Sequence, residues 1–282
     1  MKPLRISAIS YLNTAPLMWD FEHGTGGTAF QIAYTIPSHC AASLRDGSAD
    51  IGIIPAAAYT SIPGIVIVPN VAIASRRAVR SILLVSKAPL EQIRSVALDN
   101  SSLTSVALVK VLFAKWWGNG RTFASMQPDI DHMLKEHDAG LLIGDPALRI
   151  DRSKYLCYDL AEEWIRLTQK PFVFAFWAVR RDALQGASDQ DLAATFQRSR
   201  DHGLIPENVQ QIMKQWAPRL GLSEAEIKLY LTENIHYYLD PSCIEGMNLF
   251  FRYAAECGAL PQGPQLQFVE QKKAPLQSAL LP

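Results

Sequence analysis

The chain predicts an α/β protein of two lobes joined by two crossover strands, and three observations carry that expectation. Strand-like apolar runs alternate with helical ones from Leu4 to Arg166, the pattern of α/β rather than α+β proteins. Two strongly apolar runs, Arg80–Ser86 and Phe172–Val179, break the alternation and read as buried strands at which the chain leaves one lobe and returns. Beyond Arg181 the text is helical only. The predicted division is residues 1–83 with 176–282 in lobe one and 84–175 in lobe two.

The elements follow in order. Leu4–Ser10 reads as a strand feeding a helix over Tyr11–Phe21, with Leu12, Leu17 and Phe21 at helix-compatible spacing and Pro16 near the first turn. Gln31–Ile36 is a second strand, Pro37 opens a helix through Arg45, and Asp50–Ile54 is a third strand ending at Pro55. Ile65–Pro69 and Val71–Ser75 continue the pattern as two strands. In lobe two, Ser95–Asn100 is a strand before a helix over Val106–Trp117, Leu141–Gly144 and Lys154–Asp159 are strands, and Leu160–Arg166 is helical. Helices are predicted over Asp189–Gly203, Pro206–Ala217, Ser223–Asn234 and Pro241–Cys257. Ser223 and Glu226 form an S-x-x-E capping box at the third of these. The tail beyond Pro261, with prolines at 261, 264, 275 and 282, is expected to lie over the surface or to be partly disordered.

Composition excludes several function classes. The 282 residues carry 27 Lys+Arg and 27 Asp+Glu, so no excess positive charge is available for a nucleic-acid backbone. No apolar run approaches the roughly 20 residues of a membrane span, and Arg5, Ser7, Ser10 and Asn13 interrupt what a signal peptide would need; a soluble, cytoplasmic protein is expected. The four cysteines are scattered without zinc-ligand spacing and read as reduced thiols, mostly core. His132 and His137 are five apart, which places them on different helix faces rather than as a metal pair. No nucleophile elbow, Walker loop or dinucleotide fingerprint occurs, and the Gly24, Gly26, Gly27 cluster reads as a turn.

Chemistry is expected beyond the carboxyl ends of the strands, where three junctions are polar. They are Ser10–Thr14, Ser101–Ser105 and Gly144–Asp145, the first from lobe one and the others from lobe two, so an inter-lobe cleft would bring them face to face. Ser102, Thr104 and Ser105 join hydroxyls to the positive end of a helix, which suits a carboxylate or phosphate. A cap explains one hydroxyl but not the cluster. Ser81 is either a further donor or an ordinary strand serine. Asn13 suits the orienting of a hydroxyl, or is a turn residue; Asp145 before Pro146 fits a helix cap. Arg76, Arg77 and Arg80 could balance an anion or lie on a solvated loop. None of the junctions contains His or Lys, so an enzyme working here lacks an obvious general base.

Six segments in register, Ile9–Leu17, Ala49–Pro55, Val79–Ser81, Ser102–Ser105, Leu142–Asp145 and Pro171–Ala178, resemble the chorismate dehydratase family of the futalosine route to menaquinone. Thr168-Gln169-Lys170 departs from that family's Gly-Leu type lead-in to Pro171. The resemblance implies the type 2 periplasmic-binding-protein fold and dehydration of chorismate to 3-[(1-carboxyvinyl)oxy]benzoate, with the substrate's own enolpyruvyl carboxylate taking the proton. It implies Asn13 as the catalytic asparagine, with Ser81, Thr104 and Ser105 on carboxylate oxygens; the junction residues Ser10, Ser102, Gly144 and Asp145 complete the expected substrate site. It implies no metal and no organic cofactor, and chorismate as the partner, without nucleic acid or membrane. Two rivals share the lobes: a non-catalytic small-carboxylate receptor, and the dihydroxynaphthoate-forming enzyme of the same pathway, whose first loop resembles Pro-Asn-Asp-Thr rather than Tyr11-Leu12-Asn13-Thr14.

Overall fold

In the computed structural model, which describes residues 3–24, 30–184 and 191–270, the two predicted lobes are two five-stranded sheets. Lobe one begins with β1 (Leu4–Ile9), a 3-10 segment (Leu12–Met18) and α1 (Trp19–His23). β2 (Phe30–Thr35), α2 (Pro37–Asp46), β3 (Ile51–Pro55), a 3-10 segment (Ala56–Ser61) and β4 (Ile65–Ser75) follow. Asn70 sits at φ 60°, and the chain bends there without leaving the sheet, so the two strands expected over 65–75 are one. Where a regular helix was expected after β1, the chain is wound as 3-10 because the Thr14 hydroxyl donates to the carbonyls of both Ile9 and Tyr11, each at 2.6 Å.

Lobe two holds β5 (Ile82–Ser86), β6 (Ser95–Asp99), α3 (Thr104–Leu112) with a π-helical extension (Phe113–Trp117), β7 (Thr122–Met126) and α4 (Ile130–Glu136). It closes with β8 (Ala139–Ile143), α5 (Gly144–Leu148), β9 (Leu156–Asp159) and α6 (Leu160–Thr168). β10 (Phe172–Arg180) then returns to lobe one, followed by α7 (Arg181–Leu184), α8 (Leu192–Gly203), α9 (Pro206–Leu220), α10 (Glu224–Leu229) with a π-helical extension (Tyr230–Asn234), and α11 (Pro241–Glu256). The capping box of α10 forms as predicted, with Ser223 and Glu226 satisfying each other's backbone N–H.

The strand orders are β2-β1-β3-β10-β4 and β7-β6-β8-β5-β9, so the lobes repeat one plan. In each, parallel strands are joined by one antiparallel strand that has crossed over: β10 between β3 and β4, β5 between β8 and β9. The boundaries expected at 83/84 and 175/176 therefore fall inside strands. All of β5 pairs in lobe two and all of β10 in lobe one, which moves the crossings to the segments 76–81 and 169–171. The first crossing is fixed by Asp159, whose carboxylate accepts the backbone N–H groups of Val79 and Arg80 at 3.1 and 2.6 Å while capping α6. That clamp holds Arg80 at φ 65°, a conformation costly for a side chain of its size.

One hydrophobic cluster runs through both lobes. α11 lies between them, touching α3 on one side and β10 on the other, and its Phe250 meets Trp164 of α6 and Phe172 of β10 edge-on. Deleting such a side chain costs about 3–5 kcal/mol, so the hinge face is a core rather than a sliding contact. The chain beyond Pro261 lies over lobe one as far as it is described: Ile67 and residues 267–269 exchange backbone hydrogen bonds. Residues 271–282, Gly26, Gly27 and Asp189 lie outside the described residues. No helix among the described residues is long and apolar enough to cross a membrane.

Candidate active site

The carboxyl ends of β1 and β6 deliver two different junctions to opposite sides of the inter-lobe cleft. On the lobe-one side the 3-10 segment is pressed by α8 so closely that a Cβ on Gly203 would lie 2.0 Å from the Pro16 carbonyl oxygen. This contact, with the Thr14 hydrogen bonds, makes the segment rigid and sets Asn13 against the cleft, 9% exposed. On the lobe-two side the buried Asp99 carboxylate accepts the Ser101 N–H at 2.9 Å and hydroxyl at 2.6 Å, and the Ile143 N–H at 3.3 Å. One carboxylate thus ties the turn before α3 to the end of β8. α3 has Leu103 at its N-cap and no side-chain cap, which leaves first-turn N–H groups pointing outward from the positive end of the helix.

Between the junctions lies a small cavity of about 50 Å³ that is half open to solvent. Its polar wall is Tyr11, Asn13, Ser102, Thr104, Ser105 and Gly144; Ile9, Ile73, Ile82, Ile143 and Phe174 supply the apolar wall. No Asp, Glu, His, Lys or Arg is among its lining residues. The one titratable lining group is the Tyr11 phenol, and burial holds it above its ordinary pKa, so it stays neutral. Such a site can hold an anion through N–H and hydroxyl donors and orient a hydroxyl through an amide.

The lobes are closed on each other. The Leu12 N–H donates to Asp145 Oδ1 at 3.1 Å, the Ser38 N–H to the Ser101 carbonyl at 3.1 Å, and the Ala57 N–H to Thr104 Oγ1 at 3.1 Å. Gly144 is at φ +62°, and a Cβ there would lie 2.6 Å from the Tyr11 ring, so glycine is needed both for the backbone and for the approach of Tyr11 across the cleft.

Asn13, Ser102, Thr104, Ser105 and Gly144 therefore come together, while the other expected residues stand elsewhere. Ser10 is exposed and opens on a neighbouring crevice with Trp216 and Arg219. Ser81 is fully buried behind the cavity wall, where its Oγ accepts the Tyr230 hydroxyl at 2.8 Å. Asp145 closes the lobes, and burial, opposed by the Leu12 N–H, pushes its pKa up to about 6. The Thr104 hydroxyl lines the cavity but is engaged on both sides, donating to the Phe174 carbonyl at 3.0 Å and accepting from Ala57, so in the closed form it bridges lobes rather than waiting for a carboxylate. Arg76 and Arg77 pair with Asp240 and Glu233 and do not line the cavity.

Sequence reasoning missed Tyr11, Asp99 and Tyr230. Tyr11 and Asp99 lie at the strand ends already singled out and could have been read there; Tyr230 had no signal. It also missed a cluster of His236, Asp240 and Cys243 whose ligand atoms lie within 4.8 Å of one another. Its chemistry does not fit a metal ion: the Arg76 guanidinium stands 2.6 Å from the Asp240 carboxylate, and burial pushes the Cys243 thiol up to about 12. All four cysteines are free, Cys40 and Cys243 buried.

A family model described as menaquinone biosynthesis matches residues 4–256. A chorismate dehydratase from Thermus thermophilus is 27% identical over 94% of this chain and 98% of its own length. Among solved structures, protein AF1704 from Archaeoglobus fulgidus superposes with a TM-score of 0.69 at 15% identity, covering 92% of this chain and 98% of that one. The periplasmic aliphatic sulphonate binding protein SsuA from Escherichia coli gives 0.62 at 18% identity, covering 97% and 96%. At such identities these structures show the fold alone, the two-lobed periplasmic-binding-protein fold.

Proposed function

The chain belongs to the menaquinone biosynthesis family, and we propose that within it this protein is a chorismate dehydratase, a hydro-lyase acting in the inter-lobe cleft. The observation that carries the reading is the cavity wall: an anion-binding helix start and a single amide, with no acid, base or cation among the lining residues. Chorismate loses its C3 proton and C4 hydroxyl as one water, and the ring becomes aromatic, which drives the reaction. The cavity offers no side chain to take the proton. The substrate's enolpyruvyl carboxylate supplies that base and carries the proton off C3; the C–O bond at C4 then breaks, and the two leave as water.

The protein's part is to position and to stabilise charge. The first-turn N–H groups of α3 with the Ser102 and Ser105 hydroxyls hold the ring carboxylate, and the Asn13 amide holds the C4 hydroxyl as it departs. Thr104, Gly144 and Asp145 act by closing the lobes. Apolar walls from Ile73, Ile82, Ile143 and Phe174 fit a ring on its way to a benzoate and keep water from it. The 27% identity to a chorismate dehydratase over almost the whole of both chains supports the same substrate.

The test is to mix metal-stripped protein with chorismate, follow the ultraviolet spectrum and identify the product by mass and NMR. The expected result is an aromatic carboxyvinyl ether of benzoate formed without added cofactor. Chorismate bound but unchanged would replace the reading with a carboxylate-binding protein; chorismate neither bound nor changed would remove the substrate altogether.

A further inference from the structure

We propose that the crevice beside the first crossing is a second ligand site, built for a small anion of the phosphate class and separate from the cavity between the junctions. The crevice measures about 460 Å³, is half open to solvent and shares no lining residue with that cavity. Its volume is in the range of small-molecule sites. Its walls come from three parts of the chain: Arg80 of the first crossing, residues 148–152 at the end of α5 and just beyond it, and the turn from α9 into α10 with Glu226. Residues 148–152 belong to lobe two, while α9 packs on the Leu12–Met18 segment of lobe one, so a ligand here touches both lobes. The site is independent of the reaction assigned to the cavity.

Arg80, Arg149 and Arg152 all line the crevice, and Arg152 Nη2 donates to the Arg80 carbonyl at 3.2 Å, which brings two of the three together. None of the three guanidinium groups is in an ion pair among the described residues, whereas Arg76 and Arg77, a few positions earlier, have Asp240 and Glu233. The two acids in the same wall are taken. Glu226 accepts the N–H and hydroxyl of Ser223 at 2.8 and 2.7 Å; Asp151 accepts those of Ser153 at 3.0 and 2.6 Å and pairs with Lys154. Like charges that share a crevice repel, and an anion between them replaces that repulsion with attraction. Leu148, Ile150, Leu220 and Leu222 supply the apolar part of the wall, so recognition falls to the guanidinium groups. Their planar forks bind oxyanions two bonds at a time. Three forks outnumber the two oxygens of a carboxylate, whereas a phosphate or diphosphate presents three or more. Arg80 itself is held at φ 65° by the Asp159 carboxylate, which accepts the N–H groups of Val79 and Arg80. Glycine would adopt that backbone freely, so an arginine there points to a use for its side chain.

The experiment is calorimetric titration of the full chain with inorganic pyrophosphate at fixed ionic strength, beside citrate as a carboxylate of comparable charge. The expected result is one pyrophosphate bound per chain, with citrate at least about tenfold weaker. Arg149→Ala and Arg152→Ala are each expected to weaken pyrophosphate about tenfold or more, the loss of one charge-assisted contact. Arg80→Gly removes the third guanidinium while relieving the backbone, so binding should weaken likewise and the thermal midpoint should not fall. Pyrophosphate should also raise the thermal midpoint of the parent but not that of the Arg149→Ala/Arg152→Ala variant. No binding by either measurement overturns the proposal. So does citrate bound as tightly as pyrophosphate, which would mean that the crevice reads charge alone. Binding that survives in the Arg149→Ala/Arg152→Ala variant and falls in Ser105→Ala would put the anion at the start of α3 and overturn it as well.

Discussion

The junctions after β1 and after β6 occupy the same place in two lobes of the same strand order, yet they are built differently. After β6 the chain enters an uncapped α-helix, and its turn is stapled by the Asp99 carboxylate, so N–H groups and hydroxyls converge where an anion would rest. After β1 the chain enters a 3-10 segment in which the Thr14 hydroxyl turns back onto the Ile9 and Tyr11 carbonyls, and the amide it contributes to the cavity wall is that of Asn13. On the dehydratase reading proposed above, a single architecture thus supplies a charge-binding side and a hydroxyl-binding side. The difference lies in a few local hydrogen bonds rather than in topology, which is why proteins sharing this fold need not share an activity.

The comparison predicts that damage to the two sides separates in the kinetics, and the largest effect falls on lobe one. Asn13→Ala should leave the thermal midpoint near that of the parent and lower kcat about 10²- to 10³-fold, the range for loss of one preorganised polar contact to a reacting oxygen. Steady-state turnover of chorismate checks it; parental kcat would remove Asn13 from the chemistry. Next comes the contact between the sides. Gly144→Ala forces a side chain to φ +62° and sets its Cβ 2.6 Å from Tyr11, so the lobes cannot close as they do now. Strain of about 1–3 kcal/mol should weaken chorismate binding roughly tenfold in calorimetry, and Tyr11→Ala added to it should restore part of the loss by making room.

Both sides were partly legible in sequence, and the reasons are physical. Asn13 directly follows a strand whose apolar character is plain, so its place at the strand end could be read without a structure. Ser102 and Ser105 were visible for the same reason, but nothing local shows that the Thr104 hydroxyl is consumed by Ala57 and Phe174, because both partners come from lobe one. Tyr230 was illegible: its partner Ser81 is 149 positions away, and a buried tyrosine in a helical run carries no motif. The same distinction runs through the fold. β7 was missed because it is a half-exposed edge strand without clear alternation, and α4 because it is seven residues long with only Met133 and Leu134 buried. The crossings were misplaced by several residues because an apolar run records that a strand is buried, not which sheet buries it.

On the anion side a single hydroxyl counts for less. Ser105→Ala removes one donor and leaves the helix N–H groups in place, so binding should weaken about fivefold, the worth of one neutral hydrogen bond of about 1 kcal/mol. kcat should change less than the dissociation constant, the reverse of Asn13→Ala. If the two variants instead lost kcat and affinity in the same proportion, the division of labour between the lobes would be wrong.

The smallest effect concerns the seam itself. Asp145 is partly buried and accepts the Leu12 N–H; burial raises its pKa from 3.8 to about 6 in the folded protein. Between those values the folded chain holds a proton that the unfolded chain has released, so stability contributed by the neutral acid is complete below about pH 4 and is lost as the pH rises through about 6. Asn at this position keeps an oxygen for Leu12 and carries no charge to desolvate. Asp145→Asn and the parent should therefore melt alike near pH 4, and the variant should be more stable above about pH 7 by about 1–2 kcal/mol, less than the full shift implies because the side chain is partly solvated. Thermal midpoints taken across that range decide it: curves that stay parallel would mean that Asp145 is ionised in the closed seam, and that its bond to Leu12 is a charged clasp rather than a neutral one.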